Sequence, residues 1–150
     1  MQFAKMIVLA MGSITSGYTV SENDICPFAD VPAGTPSNPL YPDHYVAVAA
    51  RTGLTMGYPD NTFRPYNQIT RWQVITMVVR AGEPWLEDPP PGWQGALNYS
   101  NPTHGANLRK AEFNGLLDGL TGLSLSWDGS KNASRGECAQ LLWALTQRAD

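Results

Sequence analysis

Charge is scarce in this chain. Lys, Arg, Asp and Glu make up 15% of its 150 residues, the formal net charge is −3, and no block of like charge occurs. A chain that neutralises phosphates or sits on an acidic bilayer gathers basic residues together, so neither nucleic acid nor a membrane surface is favoured as partner. Long apolar runs are missing as well. No stretch approaches the roughly 18 residues of a membrane span, and no membrane insertion is expected. The start Met1-Gln2-Phe3-Ala4-Lys5-Met6-Ile7-Val8-Leu9-Ala10-Met11-Gly12 puts one lysine before an apolar run. Its unbroken part is about six residues, short of the roughly 7 to 15 of a secretory h-region, and it reads as a helix and not as a signal peptide.

Catalytic and metal-binding combinations are equally thin. The two histidines, His44 and His104, lie in unrelated contexts, and no Ser-His-Asp, His-x-x-x-His or Cys-x-x-Cys arrangement is visible. Asp60 and Glu112 are a conceivable glycosidase pair, but a turn explains the first and a helix surface the second. Asp60-Asn61 lacks the alternating oxygen ligands and terminal Glu of an EF-hand. The sequence predicts a non-enzyme with no metal and no cofactor.

What the chain does have is 12 prolines, 14 glycines and recurring helical patterns. The length suits one domain with its own core and is short for two ordinary ones. Gln2 to Val8 matches Gln73 to Val79 in its apolar and polar positions, and Glu137 to Trp143 falls on the same pattern, at offsets of 71 and 64 residues. Repeats spaced like this bury one face each and complete a core with their neighbours. Phe113, Leu116, Leu117 and Leu120 stand at i, i+3, i+4 and i+7 and predict a helix. Gly115 and Gly119 on it are expected to let another backbone approach closely. Trp143 lies in an apolar stripe and is expected in the core.

The richest segment is Gly57-Tyr58-Pro59-Asp60-Asn61-Thr62-Phe63-Arg64-Pro65, followed by Ile69-Thr70-Arg71-Trp72-Gln73. Pro59-Asp60-Asn61 is turn chemistry. Thr70 and Gln73 have the spacing of a capping box, which predicts a helix start and puts Arg71 in its first turn. Free N–H groups and the helix dipole there favour an anion, and a guanidinium fork beside them suits a carboxylate. Trp72 and Tyr58 flank that position; with Tyr66 they are candidates for stacking on sugar rings or for filling the interior.

These residues resemble the S-layer homology family, whose repeats carry a Gly-Tyr-Pro-Asp-Gly-Thr-Phe-Arg-Pro loop and an Ile-Thr-Arg-Ala-Glu/Gln helix start. Phe28-Ala29-Asp30-Val31-Pro32 is similar to the opening of the same repeat, and Tyr41 to Gly53 fits its first helix. Asn61 stands for the usual turn glycine and Trp72 for a small residue. Leu86-Glu87-Asp88-Pro89-Pro90 repeats the opening. Asn107 to Leu117 with Ser134-Arg135-Gly136-Glu137 resembles the last repeat of actinobacterial-type members. There the loop looks shortened, 12 residues from Gly122 to Ser134 against 17 from Gly53 to Thr70.

The resemblance implies a mostly α fold, in which S-layer homology repeats form a pseudo-threefold helical bundle with long loops. Residues 1–12 are expected to be the last helix of a truncated first repeat, 13–82 a complete second repeat and 83–150 a degenerate third, together one domain. It implies non-covalent anchoring of a larger secreted protein to the bacterial cell envelope, at the cell wall or cell surface. The ligand would be a secondary cell-wall polysaccharide bearing pyruvate ketals, held by Arg71, Thr70, Trp72, Tyr58, Asp30 and Arg135. Each arginine has an alternative role as a tie between a loop and its helix, and Asp30 as a turn cap. Arg71→Ala is expected to weaken binding with little change in melting. The runner-up is a structural or protein-interaction module for envelope assembly that has lost glycan binding.

Two further expectations follow from the implied location and boundaries. An oxidising surface makes Cys26 and Cys138 a candidate disulfide, with a pair of buried thiols as the alternative. A first repeat reduced to its helix would leave Phe3, Met6, Ile7 and Leu9 with more apolar surface than one face buries, so the fragment is expected to self-associate.

Overall fold

Short apolar stripes between Pro- and Gly-rich connections make short helices, and the computed structural model, which describes residues 1–149, is mostly helical. The helices are α1 (Gln2–Gly12), α2 (Asp43–Arg51), α3 (Arg71–Gly82), α4 (Gly105–Phe113) and α5 (Arg135–Ala149), with 3₁₀ turns at Ser16–Tyr18 and Glu83–Trp85. Among the described residues, β-pairing is confined to isolated bridges at Thr35–Asn38 and Thr70–Asn132. Two compact units divide the chain, Met1–Asn67 with α1 and α2, and Gln68–Asp150 with α3, α4 and α5.

In the first unit α1 packs on α2. It buries Phe3, Ala4, Ile7, Val8 and Met11, while Leu9 stays 52% exposed. α2 buries Val46, Ala47, Val48 and Ala49. Its end is set by Gly53, whose φ of 76° is the left-handed conformation that glycine adopts without strain. The Gly53 N–H donates to Ala50 O and the Leu54 N–H to Ala49 O, which is a Schellman motif. Leu54 is thereby turned inward and fully buried.

In the second unit α3 packs against both α4 and α5. Having two neighbours, it buries Val74, Ile75, Thr76, Met77, Val78 and Val79 in succession. α5 buries a single stripe, Cys138, Leu141, Leu142 and Leu145, at the spacing of one helix face. Trp143, at the position of Val79, therefore points away from α3 and is 59% exposed. The expectation of a core tryptophan is overturned, because α5 buries only one of its own faces and Trp143 lies off it.

The helix expected through Leu120 ends at Phe113 instead. Gly115, with φ of 73°, closes it by the same Schellman pair as α2: Gly115 N–H to Glu112 O and Leu116 N–H to Ala111 O. Leu116 and Leu117 are fully buried, but from the turn after the helix. Each contributes roughly 1.5–3 kcal/mol of hydrophobic burial. Neither glycine serves a backbone approach. Gly115 supplies the left-handed conformation, and Gly119 lies against the Gln140 side chain, where a Cβ would come within 2.1 Å of Nε2.

Gly115, not Gly122, is therefore the counterpart of Gly53. From Gly115 to Ser134 is 19 residues (134 − 115), against 17 (70 − 53) from Gly53 to Thr70. The second loop is slightly longer than the first, not shortened.

Candidate functional site

Asp30 and Tyr58 belong to the loop framework of the first unit. The Asp30 carboxylate accepts from the Phe63 N–H at 2.9 Å and the Arg64 N–H at 2.8 Å, and these bonds hold its carboxyl below the usual range. Phe28 packs on Phe63 with ring centroids 5.7 Å apart. The opening motif is thus a clamp on the Phe63-Arg64 turn, where Arg64 takes a left-handed φ of 56°. For a residue with a Cβ that conformation costs on the order of 1–2 kcal/mol, offset here by the two bonds to Asp30. Asp60 closes the turn before it, accepting from the Thr62 N–H at 3.2 Å and its hydroxyl at 2.5 Å. Arg64 pairs with Asp60 at 3.2 Å and lies 3.9 Å over the Tyr58 ring. Tyr66 is exposed.

Thr70, Arg71, Trp72 and Arg135 lie in the second unit. The capping box forms as expected: the Thr70 N–H donates to Gln73 Oε1 at 2.9 Å, and the Gln73 N–H to Thr70 Oγ1 at 3.3 Å. The next two amides are taken by the loop that follows α4. Arg71 N–H donates to Lys131 O at 2.9 Å and Trp72 N–H to Gly129 O at 3.0 Å. All four donors at the start of α3 are therefore occupied by protein acceptors. The expected anion site on free helix amides does not exist, because residues 129–131 fill it.

What remains for an anion is the Arg71 side chain. Its Nη2 contacts Glu137 Oε1 at 2.7 Å, its Nη1 donates to Asp128 O at 3.3 Å, and its guanidinium carbon lies 5.3 Å from the centre of the Trp127 ring. The Nε is buried and has no hydrogen-bond partner among the described residues. Arg71 and Glu137 side chains are 25% and 21% exposed, so the pair sits in a recess that solvent still reaches. Burial pushes the Glu137 carboxyl up, but Arg71 and the Ser134 amide and hydroxyl outweigh it and hold the carboxyl below the usual range. Trp72 stacks on His104 at 6.0 Å and fills the space beside Gly129, where a Cβ would meet its Nε1 at 2.0 Å. Half-buried Trp72 thus serves as a packing residue for the loop.

Asp128 repeats the turn of Asp60. It accepts from the Ser130 N–H at 2.9 Å and its hydroxyl at 2.5 Å. Trp127-Asp128-Gly129-Ser130 thus stands where Pro59-Asp60-Asn61-Thr62 stands in the first unit. The sequence signal was an aromatic residue beside an Asp-Gly-Ser turn, obscured because the loop was counted from Gly122. The residue in the position of Asp30 differs in role: Asp88 pairs with Lys110 at 2.9 Å.

Arg135, the first residue of α5, is exposed and makes no hydrogen bond or ion pair among the described residues. Its capping box is present, Ser134 N–H to Glu137 Oε2 at 2.8 Å and Glu137 N–H to Ser134 Oγ at 3.1 Å. The cysteines are free thiols. Cys26 Sγ donates to Phe28 O at 3.7 Å in the first unit, and Cys138 is buried in the α5 stripe of the second. The candidate disulfide is not formed in this structure, and of the alternative pair of buried thiols only Cys138 is buried, Cys26 being half-buried. Asp60 and Glu112 are held apart in roles, Glu112 accepting from the Tyr99 hydroxyl at 2.5 Å and the Ala96 N–H at 2.6 Å.

The family model described as S-layer homology domain matches residues 27–75, about a third of the chain, from the residue before Phe28 to Ile75 in α3. No curated protein matches the chain. Among the described residues no helix is long and apolar enough to cross a membrane.

Proposed function

We propose that this chain, which carries an S-layer homology domain at residues 27–75, attaches its protein to the bacterial cell envelope by binding a secondary cell-wall polysaccharide through carboxylated sugars. S-layer homology domains are anchoring modules of the cell wall and cell surface, and that much comes with the family. The polymer, its pyruvylation and the residues that hold it are the proposal. The observation that carries it is Arg71: a guanidinium fixed against the Trp127 face in a solvent-reached recess, with a buried Nε that has no hydrogen-bond partner among the described residues. An arginine fork beside an aromatic wall suits a carboxylate carried on a sugar ring.

Thr70 acts through Arg71 by fixing the helix start, and Trp72 by seating the loop that carries Trp127. Arg135 offers a second cation, exposed and without an ion pair among the described residues. Asp30 and Tyr58 support the Phe63-Arg64 turn in the first unit. The three-repeat organisation, with boundaries at 1–12, 13–82 and 83–150, belongs to the same proposal. Pull-down with purified cell-wall sacculi, before and after extraction of the secondary polymer, tests it. Binding that disappears with the polymer supports the reading; binding that survives its removal, or no binding at all, favours the assembly module instead.

A further inference from the structure

We infer that Glu137 is an internal competitor for the ligand, holding Arg71 in the free protein and yielding it to a carboxylate of the polymer, so that it sets the selectivity of the site for anionic over neutral sugars. The inference rests on the reading of Arg71 given under the proposed function. The two Glu137 oxygens have separate duties. Oε2 completes the α5 capping box with the Ser134 N–H, and Oε1 meets Arg71 Nη2. Releasing Oε1 leaves the cap intact, because the reciprocal bond from the Glu137 N–H to Ser134 Oγ does not involve Arg71.

The guanidinium also keeps its place when Oε1 leaves. Asp128 O and the Trp127 ring hold it from the other side, and Asp128 itself is fixed by Ser130. An exchange of one carboxylate for another therefore needs no reordering of the loop. A neutral hydroxyl cannot match a charge-assisted bond of 2.7 Å and does not displace it, whereas a carboxylate can. The Asp128 carboxylate also feels the Arg71 and Lys131 charges, but the ion pair that Arg71 makes among the described residues is with Glu137.

The test uses the full chain as wild type, Glu137→Gln and Glu137→Asp. The probes are sacculi carrying their secondary polymer and the same sacculi after mild acid treatment that removes ketal-linked pyruvate. Glutamine keeps the capping-box pattern while removing the competing charge. It is expected to bind untreated sacculi roughly three- to tenfold more tightly than wild type, with the gain lost on treated sacculi. Aspartate, one methylene short of Arg71, is expected to show a smaller gain, and melting curves of all three identify any variant that fails to fold. Wild-type binding that depends on the ketals, with no gain in either folded variant, overturns the inference and leaves the proposed function standing. Wild-type binding indifferent to the acid treatment overturns the carboxylate reading and the inference together.

Discussion

The starts of α3 and α5 share a motif, Thr70-Arg71-Trp72-Gln73 and Ser134-Arg135-Gly136-Glu137, and both close the same capping box. Beyond the box they differ. At α3 the next two amides are capped by Gly129 O and Lys131 O, and the arginine is pinned between Glu137, Asp128 O and Trp127. At α5 the amides of Arg135 and Gly136 have no acceptor among the described residues and the arginine is exposed. A motif of four residues fixes the local cap, because its bonds span three positions. Whether its arginine is pinned in a recess or stands open to solvent is decided by a loop more than fifty residues away in sequence.

The sharpest way to break the difference is to unseat that loop. A Cβ at Gly129 would lie 2.0 Å from Trp72 Nε1, whereas at Gly136, the counterpart of Trp72, the nearest atom is Ser134 Oγ at 3.9 Å. Gly129→Val is expected to cost about 2–3 kcal/mol through overpacking, and Gly136→Ala to change stability by less than about 0.5 kcal/mol. Urea titrations of the two variants measure this. Equal stability would mean that residues 127–131 do not rest on α3.

The arginines come next. Arg71→Ala strips Glu137 of its partner in a recess and is expected to cost about 1–2 kcal/mol, in contrast to the small change that the sequence suggested. Arg135→Ala is expected to stay within about 0.5 kcal/mol of wild type. Thermal melts compare them, and matching losses would place the two arginines in equivalent surroundings. Removing the caps sharpens the comparison further. Thr70→Ala and Ser134→Ala are each expected to cost about 1 kcal/mol, with Thr70 the greater because its cap bond is half-buried and that of Ser134 is exposed. A larger loss from Ser134→Ala would reverse that ranking.

Much of this was legible because it is local. Both capping boxes and the turn at Asp60 are written in residues two or three positions apart, and the helices followed from their apolar spacing. The misreadings arose where a local pattern is compatible with two structures. Phe113, Leu116, Leu117 and Leu120 satisfy helical spacing, yet Gly115 ends the helix in the left-handed region and the buried leucines pack from the turn. Trp143 repeats the pattern of Val79, but α5 buries one stripe where α3, packed against both α4 and α5, buries two. Glu137 is recognisable as a cap; that its second oxygen meets Arg71, 66 positions earlier (137 − 71), has no signature in spacing. The free-amide anion site failed for the same reason, since its acceptors come from residues 129 and 131.

The smallest expected effect separates the two helix starts by pH. The Glu137 carboxyl is held below its ordinary range in the folded chain, so it binds fewer protons there than in the unfolded chain. Its contribution is then complete above the unfolded value and disappears as the pH falls through the folded one. Wild type is expected to lose more stability than Glu137→Gln between roughly pH 6 and pH 3, by less than about 1 kcal/mol. Asp30, Asp60 and Asp128 are also held low, but they are present in both proteins and cancel in the difference. Arg135→Ala, which leaves the Arg71–Glu137 pair untouched, is expected to follow the wild-type curve, while Arg71→Ala falls between wild type and Glu137→Gln, because the Ser134 amide and hydroxyl still hold the Glu137 carboxyl down. Melting temperatures of the four proteins across that range measure the difference directly. Parallel curves for wild type and Glu137→Gln would show that the pair at α3 contributes nothing, and that the two helix starts differ only in their amides.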